Sequence, residues 1–307
     1  MKKVFVLGSI NTDYRISVDR MPTVGESKVG HDFAYGQGGK GANQAVACKK
    51  LGCEQVYLLA CVGNDGSGAE LKRSVAGYGV DVSAVTETNE FKSGACFIVL
   101  NDGLKDNYLI VDKGANMAVD PLFVTRFLAD NASKGDVFIS QFEVNIDAVI
   151  KGFQTAKSLG MYTILNPAPV CDFPQELYRY VDLIVPNSTE MSLLTGESVD
   201  FNKAYEYFRM RGVKQMVATL GSRGSVYIDS THTIECPSKK VKAVDTTSAG
   251  DTFIGAIALK KACGTELFEA LEFATRCSAI TVSRYGAAES VPCASEVESF
   301  FGVEDDK

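Results

Sequence analysis

The sequence predicts an α/β protein with a doubly wound, mainly parallel central sheet, helices on both faces of that sheet and a small additional β-sheet. Three observations lead to this prediction: short runs that are continuously apolar, helical patterns between those runs, and two extended segments of mixed polarity that fit neither pattern. Continuously apolar runs are typical of parallel strands that are buried on both faces. Their alternation with helices implies right-handed crossover connections.

Six apolar runs and six helical patterns alternate along the chain. The predicted strands are Lys3–Leu7, Gln55–Cys61, Asp136–Ser140, Tyr162–Leu165, Asp182–Val185 and Gln215–Leu220. The predicted helices are Ala42–Leu51, Ala69–Tyr78, Pro121–Asp130, Ile146–Leu159, Lys203–Arg211 and Glu266–Val282. The N-terminal apolar run is too short for a signal peptide and meets Gly8, so we interpret it as the first strand of the sheet.

Two segments, Asp13–Tyr35 and Gly94–Val111, predict the small sheet. The first is extended and contains Pro22 and Gly25, and the second forms two strands around Asp102-Gly103, a step that favours a hairpin. Neither segment is apolar enough to lie inside the main sheet. A β-flap beside the carboxyl edge of an α/β sheet can act as a lid.

Composition limits the classes of function. The 31 Lys and Arg residues and the 38 Asp and Glu residues give a net charge of −7 without any basic block, so we expect no nucleic-acid or membrane partner. No apolar stretch approaches the roughly 20 residues of a membrane span. The nine cysteines are odd in number and contain no C-x-x-C pair, which predicts reduced thiols in the cytoplasm. His31 and His232 are far apart, so we expect a carboxylate as general base.

The segment Val244–Ala256 predicts an anion site. Small residues surround the point where an extended segment becomes a helix, and Asp251 falls in the first turn of that helix. Free backbone amides at such a turn, together with the helix dipole, suit a transferring phosphoryl group, and a carboxylate beside them can accept the proton of an attacking hydroxyl. The alternative is an acidic residue that only favours the positive end of a helix.

Glycines surround Lys40 in the segment Gly36–Ala45. The segment matches the G-x-G-x-x-G pattern of dinucleotide sites, but it follows a strand of the predicted lid and not the first core strand. A P-loop is excluded, because Lys40 is followed by Gly41 where Ser or Thr is required. The other interpretation of Lys40 is a solvated surface lysine.

Three shorter segments follow predicted strands, the position at which open α/β sheets bind ligands. Asn11 and Asp13 carry donor and acceptor groups that suit a polyol. Pro186–Glu190 follows a second strand, and Leu220–Gly224 follows a third. A helix cap at Asn187 and an ordinary tight turn at residues 221–224 are the structural alternatives.

Together these motifs resemble the signatures of the ribokinase (PfkB-type) family of carbohydrate kinases. Asp245–Phe253 is similar to the family's C-terminal signature, with Ser248 where glycine is usual, and Gly36–Ala45 is similar to the N-terminal signature. Asn166–Pro169 is typical of the ribokinase branch. The resemblance implies an ATP-dependent sugar kinase with an α/β fold. It also implies one kinase domain over residues 1–307, with a lid formed by about 12–36 and 93–111.

The resemblance implies a role for each candidate residue. Asp251 is the general base, and Ala249 and Gly250 belong to an anion hole at Ser248–Asp251. The sugar is bound by Asn11, Asp13, Gly39, Lys40, Asn43 and Glu143. ATP is bound by Asn187, Thr219, Gly221, Ser222, Gly224 and Thr275, and Glu190 organises Mg²⁺ through water. A monovalent cation (K⁺) is held by Asp245, Thr247, Thr281, Arg284, Gly286 and Ser290, several of them through backbone carbonyls.

The resemblance favours D-ribose as the substrate, phosphorylated at its 5-hydroxyl, and a homodimer formed through the lid. Within the family the alternatives are a nucleoside, deoxyribose or a ketohexose such as fructose. A nucleoside kinase could use as its base pocket the lid residues Phe33, Tyr35, Phe97 and Tyr108. From other classes, a non-catalytic sugar-binding sensor and a nicotinamide-dependent dehydrogenase stay open. ATP turnover distinguishes a kinase from a sensor, and NAD binding would support a dehydrogenase.

Overall fold

The computed structural model describes residues 1–103, 106–197 and 200–301, whose strands form two separate sheets. The larger sheet contains nine strands. In spatial order they are β13 (Thr233–Cys236), β12 (Ser225–Ile228), β11 (Gln215–Thr219), β10 (Leu183–Ile184), β9 (Tyr162–Leu165), β8 (Val137–Ser140), β1 (Val4–Leu7), β4 (Val56–Gly63) and β5 (Val85–Thr88).

The larger sheet is mainly parallel, as the sequence predicts. Its antiparallel pairs are β11 with β12 and β12 with β13, at one edge of the sheet. From β1 the chain moves to β4 and β5 on one side, and it later returns to β8 on the other side of β1. The sheet therefore has its topological switch point between β1 and β8, where open α/β sheets form a ligand crevice beyond the carboxyl ends of the strands.

Helices cover both faces of the larger sheet. One face packs against α1 (Lys40–Lys50), α2 (Gly66–Gly77), α7 (Ala249–Ala262), α8 (Leu267–Val282) and α9 (Ala294–Phe301). The opposite face packs against α3 (Pro121–Asn131), α4 (Ile146–Ser158), α5 (Ser188–Thr195) and α6 (Phe201–Arg209). Short 3₁₀ turns occupy Gly114–Ala118, Gln175–Tyr180 and Gly221–Arg223.

The first strand shows why its sequence is apolar throughout. Val4 and Val6 of β1 belong to one core, whereas Phe5 and Leu7 belong to the other, and all four side chains are fully buried. Successive side chains of a strand point to opposite faces, so a strand that is covered on both sides has no solvent-facing position. The two cores thus confirm the doubly wound architecture.

The smaller sheet has the order β3 (His31–Gly38), β2 (Asn11–Val18), β6 (Gly94–Asn101) and β7 (Asp106–Asp112). β6 and β7 are antiparallel, which confirms the hairpin predicted around Asp102-Gly103. Asp13 and Tyr14 are adjacent on β2 and therefore lie on opposite faces of the small sheet. Below we call this sheet the lid.

The structure contains all six predicted strands and all six predicted helices, with ends that differ by up to three residues. The sequence prediction omitted five short elements, namely β5, β12, β13, α5 and α9. None of the helices in the described part of the chain is long and apolar enough to span a bilayer.

Candidate active site

The candidate residues gather where five parallel strands of the larger sheet end. Asn11 follows β1, Glu143 follows β8, Asn166 follows β9, Asn187 follows β10, and Thr219 ends β11. A cavity of about 230 Å³ opens at this edge of the sheet. Its lining includes Lys40, Asn166, Asn187, Glu190, Thr219, Thr246, Ser248, Gly250 and Asp251.

The N-terminus of α7 presents unpaired backbone amides to this cavity. Ser248, the residue before the helix, has a left-handed conformation with φ 60°. The first helical bond runs from Thr252 N to Ser248 O, so the amides of Gly250 and Asp251 precede the helical ladder and lack an acceptor within the described residues. Gly250 and Asp251 line the cavity, and a Cβ built on Gly250 would have no atom within 4 Å, so the space beside the Gly250 α-carbon is open. The arrangement fits an anion such as a phosphate group.

Asp251 is buried in the first turn of α7 and is held from one side. Its Oδ1 accepts a hydrogen bond of 3.0 Å from Gln44 Nε2. Its Oδ2 has longer contacts, 3.3 Å from Asn43 Nδ2 and 3.5 Å from Ser248 Oγ. The carboxylate therefore has its shorter hydrogen bond at Oδ1 and only longer contacts at Oδ2.

Lys40 opens α1 and is the cation of the site. Gly39, which precedes it, has φ 91°, and a Cβ there would approach Asn11 N and the backbone of Ile10 to within 3 Å, so glycine is required at this turn. The negative charge of Asp251 raises the pKa of Lys40, burial opposes this increase, and Glu143 and Glu190 add to it. The ammonium group is therefore held in its charged form among carboxylates.

Asn11 is oriented by a neighbour that the sequence analysis did not identify. Its Oδ1 accepts a 2.7 Å hydrogen bond from Asn116 Nδ2, and Asn116 Oδ1 accepts from Ile10 N at 2.9 Å. The amide group of Asn11 is thereby fixed, and within the part of the chain that the structure describes its NH₂ group has no acceptor. A Cβ on Gly94 would overlap both side-chain amides, so glycine at 94 is needed for this contact.

Asp13 lies on the lid face that points to the site. Burial, together with the nearby charges of Glu143, Asp251 and Glu289, raises the pKa of its carboxyl to about 7, although Lys40 opposes the increase. Glu143 is held below the lid, where its Oε2 accepts from Ser9 Oγ and from the backbone N of Lys40 at 3.2 Å. The carboxyl group of Asp13 therefore has three carboxylates and the ammonium group of Lys40 as charged neighbours.

Asn187 caps α5 and also lines the cavity, so the cap interpretation and the binding interpretation are both compatible with its position. Its Oδ1 accepts from Glu190 N at 2.8 Å, and Glu190 Oε2 accepts in return from Asn187 N at 2.9 Å. Burial raises the pKa of Glu190, although Asn187 and Lys40 oppose the increase. Among the described residues, no three acidic, histidine or cysteine side chains form a metal-binding group.

The predicted nucleotide loop follows β11 and packs against β13. Gly221 and Gly224 have φ 59° and 96°, and a Cβ on Gly224 would overlap the carbonyl of Cys236. The hydroxyl of Thr275 on α8 contacts Cys236 Sγ at 3.4 Å, and the carbonyl of Ser222 accepts from Ser238 Oγ. Of the residues that the resemblance implies for ATP, Asn187 and Thr219 line the cavity. Gly224 and Thr275 lie against Cys236 instead, and Gly221 and Ser222 belong to the same loop as Gly224.

The residues implied for a monovalent cation come from two segments that the structure joins. Asp245 Oδ1 accepts from Thr247 N at 2.9 Å, and its Oδ2 accepts from Gly286 N at 3.2 Å. The carbonyl of Thr281 accepts from Arg284 N. The side chains of the other members bond elsewhere: Arg284 to Glu296, and Ser290 to Ala287 O. Arg284 could contribute to a cation site only through its backbone carbonyl, whereas the Ser290 hydroxyl donates to Ala287 O and keeps its lone pairs for a cation.

The aromatic residues considered for a base pocket lie on the wrong face of the lid. Tyr14 is in register with Tyr35 on β3 and with Phe97 on β6, and its ring centroid is 5.4 Å from that of Phe97. This face is opposite to the one that carries Asp13. Phe33 and Tyr108 share it with Tyr35 and Phe97, so these four side chains do not surround the candidate site.

The fold and the geometry of the site together define a class of enzyme. A buried carboxylate beside unpaired helix amides, across a cavity from a polar cluster under a lid, is the arrangement of a phosphotransferase that acts on an alcohol group. The chain matches the pfkB family carbohydrate kinase model over residues 1–294. It is 37% identical to the ribokinase of Schizosaccharomyces pombe over 99% of both chains, and 36% identical to the ribokinase of Staphylococcus aureus (strain COL) over 96% of this chain and 98% of that one.

Solved structures agree with these sequence comparisons. The structure of Arabidopsis thaliana ribokinase complexed with ribose and ATP is 30% identical, with a TM-score of 0.88 over 97% of this chain and 98% of that chain. The chain therefore belongs to the pfkB family of carbohydrate kinases. The dehydrogenase interpretation is thereby excluded, and the resemblance inferred from the motifs is confirmed.

Proposed function

We propose that the protein is an ATP-dependent ribose kinase that phosphorylates D-ribose at its 5-hydroxyl. The observation that carries the proposal is the position of Asp251, whose carboxylate lies beside the unpaired amides of α7 and within reach of Asn43. Support for ribose comes from the two relatives named ribokinase and from the Arabidopsis ribokinase, which was solved with ribose and ATP.

The sugar is bound between the lid and the edge of the larger sheet. Asn11 donates through its free NH₂ group, and the carboxylates of Asp13 and Glu143 accept from sugar hydroxyls. Asn43 and the backbone at Gly39 complete the contacts, and Lys40 balances the negative charge. A polyol suits this set, because each hydroxyl both donates and accepts.

ATP is bound along the cavity and the loop after β11. Asn187 and Thr219 contact its phosphates, and Gly221, Ser222, Gly224 and Thr275 line the nucleoside end. The open space in front of Gly250 and the unpaired amides fit a phosphoryl group. Glu190 would hold Mg²⁺ through water, and phosphate oxygens and further waters would supply the other ligands that this small cation prefers. When bound, the Mg²⁺ complex of ATP supplies the phosphoryl group and neutralises its charge.

Asp251 performs the proton transfer. As the sugar oxygen forms its bond to the γ-phosphorus, Asp251 accepts the hydroxyl proton, and the bond to the leaving ADP breaks. The amides of Gly250 and Asp251 stabilise the charge on the transferring group, and the amide of Ala249, which donates to Thr246 O at 3.3 Å, would join them only by giving up that bond. Closure of the lid excludes water, which limits hydrolysis of ATP.

Asp245 and Gly286 link two segments that we propose hold K⁺. Oxygen ligands from these segments suit a hard alkali cation. Thr247, Thr281, Arg284 and Ser290 complete the ligand set through carbonyl or hydroxyl oxygens. Because Asp245 lies three residues before Ser248, a cation there would stabilise the turn into α7. Turnover with K⁺ at least several-fold above that with a tetraalkylammonium salt supports this site, and equal turnover contradicts it.

We propose that a second copy of the chain covers the outer face of the lid, which is the face opposite to Asp13. That face carries exposed Tyr35, Phe97 and Ile110 in register, and their exposed fractions are 59%, 48% and 65%. Such an apolar sheet face with open edges favours self-association. Light scattering should give twice the mass of one chain, and Phe97→Glu should halve it. Val24→Glu, an exposed lid position outside the strands, is the matched control. A monomeric wild-type protein would contradict the dimer.

The full chain acts as one kinase domain in the cytoplasm, with residues 12–36 and 93–111 as its lid. All nine cysteines are free, which favours a reducing compartment. Limited proteolysis tests the domain assignment: one protected fragment that contains both Lys40 and Asp251 supports it, and separate stable halves contradict it.

A coupled ADP-release assay tests the proposed activity directly. The panel comprises ribose, deoxyribose, fructose, a nucleoside and no sugar, each with and without K⁺. We expect the highest kcat/KM with ribose. A higher value with another substrate would overturn the ribose assignment, and sugar binding by calorimetry without ADP release would favour the sensor.

A further inference from the structure

A buried amide network connects the candidate base to three other parts of the fold. Gln44 of α1 and Gln141 after β8 have no exposed surface, and Asn166 after β9 is nearly buried. Gln141 Nε2 donates to Gln44 Oε1 at 2.6 Å. Gln44 Nε2 donates to Asn166 Oδ1 at 3.2 Å and to Asp251 Oδ1 at 3.0 Å.

This network fixes the orientation of the Gln44 side chain. Both hydrogens of its NH₂ group have acceptors, and its carbonyl oxygen has a donor, so a rotated amide would lose the bonds at both ends. Rotation would also turn the Gln44 oxygen toward the carboxylate of Asp251. The Gln44 NH₂ group that donates to Asp251 is therefore held in place by Gln141 and Asn166, which lie 97 and 122 positions away in sequence.

Packing between the helices does not require an amide at this position. One turn further along α1, Cys48 Sγ contacts Gly255 O at 3.4 Å, and a Cβ on Gly255 would approach Ala47 Cβ to 2.6 Å. The two helices are thus in close contact through small residues. A buried amide costs desolvation energy that an apolar side chain would avoid, so its presence calls for a reason beyond packing.

We infer that Gln44 is a positioning residue: it holds Asp251 Oδ1 so that Oδ2 faces the cavity as the atom that accepts the substrate proton. Oδ2 suits this role because its contacts, at 3.3 and 3.5 Å, are the weaker ones. The inference rests on the proposed kinase function.

The first test replaces the amide by an apolar group of similar length, Gln44→Met. We expect kcat for ribose phosphorylation to fall about 10- to 100-fold, as expected when a catalytic group loses its alignment. The KM values for ribose and ATP should change little, because Gln44 contacts the base and not the substrates. The matched control is Cys48→Ala on the same face of α1, for which we expect near wild-type kcat.

The second variant, Gln44→Glu, keeps the shape of the side chain and an acceptor for Gln141. At low pH the new carboxyl can donate the proton that it shares with Asp251, whereas at high pH two carboxylates repel each other. The ratio of its kcat to that of the wild type should therefore fall as the pH rises. The charged groups that also face Asp251 are Lys40 of α1, Asp13 of the lid and Glu190 of α5, and they are present in both proteins.

The outcomes are distinct. Loss of kcat with retained KM in Gln44→Met, together with a pH-dependent ratio in Gln44→Glu, supports the inference. Wild-type kcat in Gln44→Met overturns it. If Gln44→Met fails to fold, a ratio for Gln44→Glu that is independent of pH also overturns it. A wild-type protein that releases no ADP with any sugar contradicts the proposed function itself, which is a different result.

Discussion

A side chain at Gly38 would overlap the carboxylate of Asp13. The two residues lie on the neighbouring lid strands β3 and β2, and the carboxylate occupies the space in which a Cβ on Gly38 would sit. Glycine at position 38 is therefore required by the approach of another residue and not by its own backbone conformation. The relationship connects the N-terminal glycine-rich segment to a carboxylate that we propose binds the sugar.

Gly38→Ala should displace Asp13 from the sugar. Loss of hydrogen bonds to a charged group, each worth about 1.5–3 kcal/mol, should raise the KM for ribose about 10-fold or more. The KM for ATP should stay near its wild-type value. The matched control is Gly77→Ala, a helical glycine whose added Cβ would meet nothing within 4 Å. Steady-state kinetics with each substrate varied in turn decide the matter, and an unchanged ribose KM would refute the assignment of Asp13.

Gly250→Ala should lower catalytic turnover without lowering the stability of the fold. An added Cβ has free space, so the free energy of unfolding should not fall. The methyl group would, however, stand in front of the amides that we assign to the phosphoryl group. We expect kcat to fall about 10²-fold, the scale for a lost oxyanion-hole donor. Thermal unfolding and turnover are measured on the same preparation, and full activity in this variant would contradict the anion-hole assignment.

The carboxyl of Asp13 should make both stability and sugar binding depend on pH. Because burial and the neighbouring carboxylates raise its pKa to about 7, the folded protein holds this proton between pH 4 and 7, where the unfolded chain has lost it. This carboxyl therefore lowers stability progressively as the pH rises through that interval, and Asp13→Asn should be more stable than wild type at pH 8, by at most about 4 kcal/mol.

Sugar affinity should show the opposite trend. The ionised carboxylate is the better acceptor for sugar hydroxyls, so the KM for ribose should fall as the pH rises through about 7. Asp13→Asn should bind ribose weakly without this pH dependence. Urea unfolding and ribose kinetics at pH 6 and 8 measure both effects. A wild-type ribose KM that is flat across this range would argue against the role of Asp13.

The left-handed conformation of Ser248 carries a conformational cost. A non-glycine residue at φ 60° is disfavoured by about 1–2 kcal/mol, so glycine at position 248 would relieve this cost. Glycine also has greater freedom in the unfolded chain, which offsets part of the gain in stability. Ser248→Gly should therefore raise the free energy of unfolding by up to about 1 kcal/mol with little change in kcat. The reciprocal control is Gly196→Ser, at φ 76° after α5, which should be destabilised. Destabilisation of Ser248→Gly in urea would contradict this account.

The sequence was sufficient to predict the layers of the fold, because strands such as β1 are buried on both faces and carry no polar residue. It was not sufficient for β13, Thr233–Cys236, which is short and mostly exposed at the edge of the sheet. α5 was likewise missed: it has eight residues, and its clearest signal is the capping box at Asn187. Short elements of this kind depend on tertiary contacts that periodicity does not contain.

The candidate site was predicted residue by residue where each residue follows a strand or begins a helix, as Asn11 and Asp251 do. The partners that orient these residues were not predicted. Asn116 and Gln141 contact Asn11 and Gln44 over separations of 105 and 97 residues, and such pairs follow only from the packing of elements. The sequence does contain one indication of this network: Gln44 is a polar residue on the buried face of α1, between Ala42 and Cys48.

Asp251→Asn tests the central claim most directly, because it removes the base and keeps the shape of the side chain. We expect ribose-dependent ADP release to fall about 10²–10⁴-fold, while the melting temperature and calorimetric ribose binding stay close to those of the wild type. Wild-type turnover in Asp251→Asn would contradict the proposal that this carboxylate activates the sugar hydroxyl.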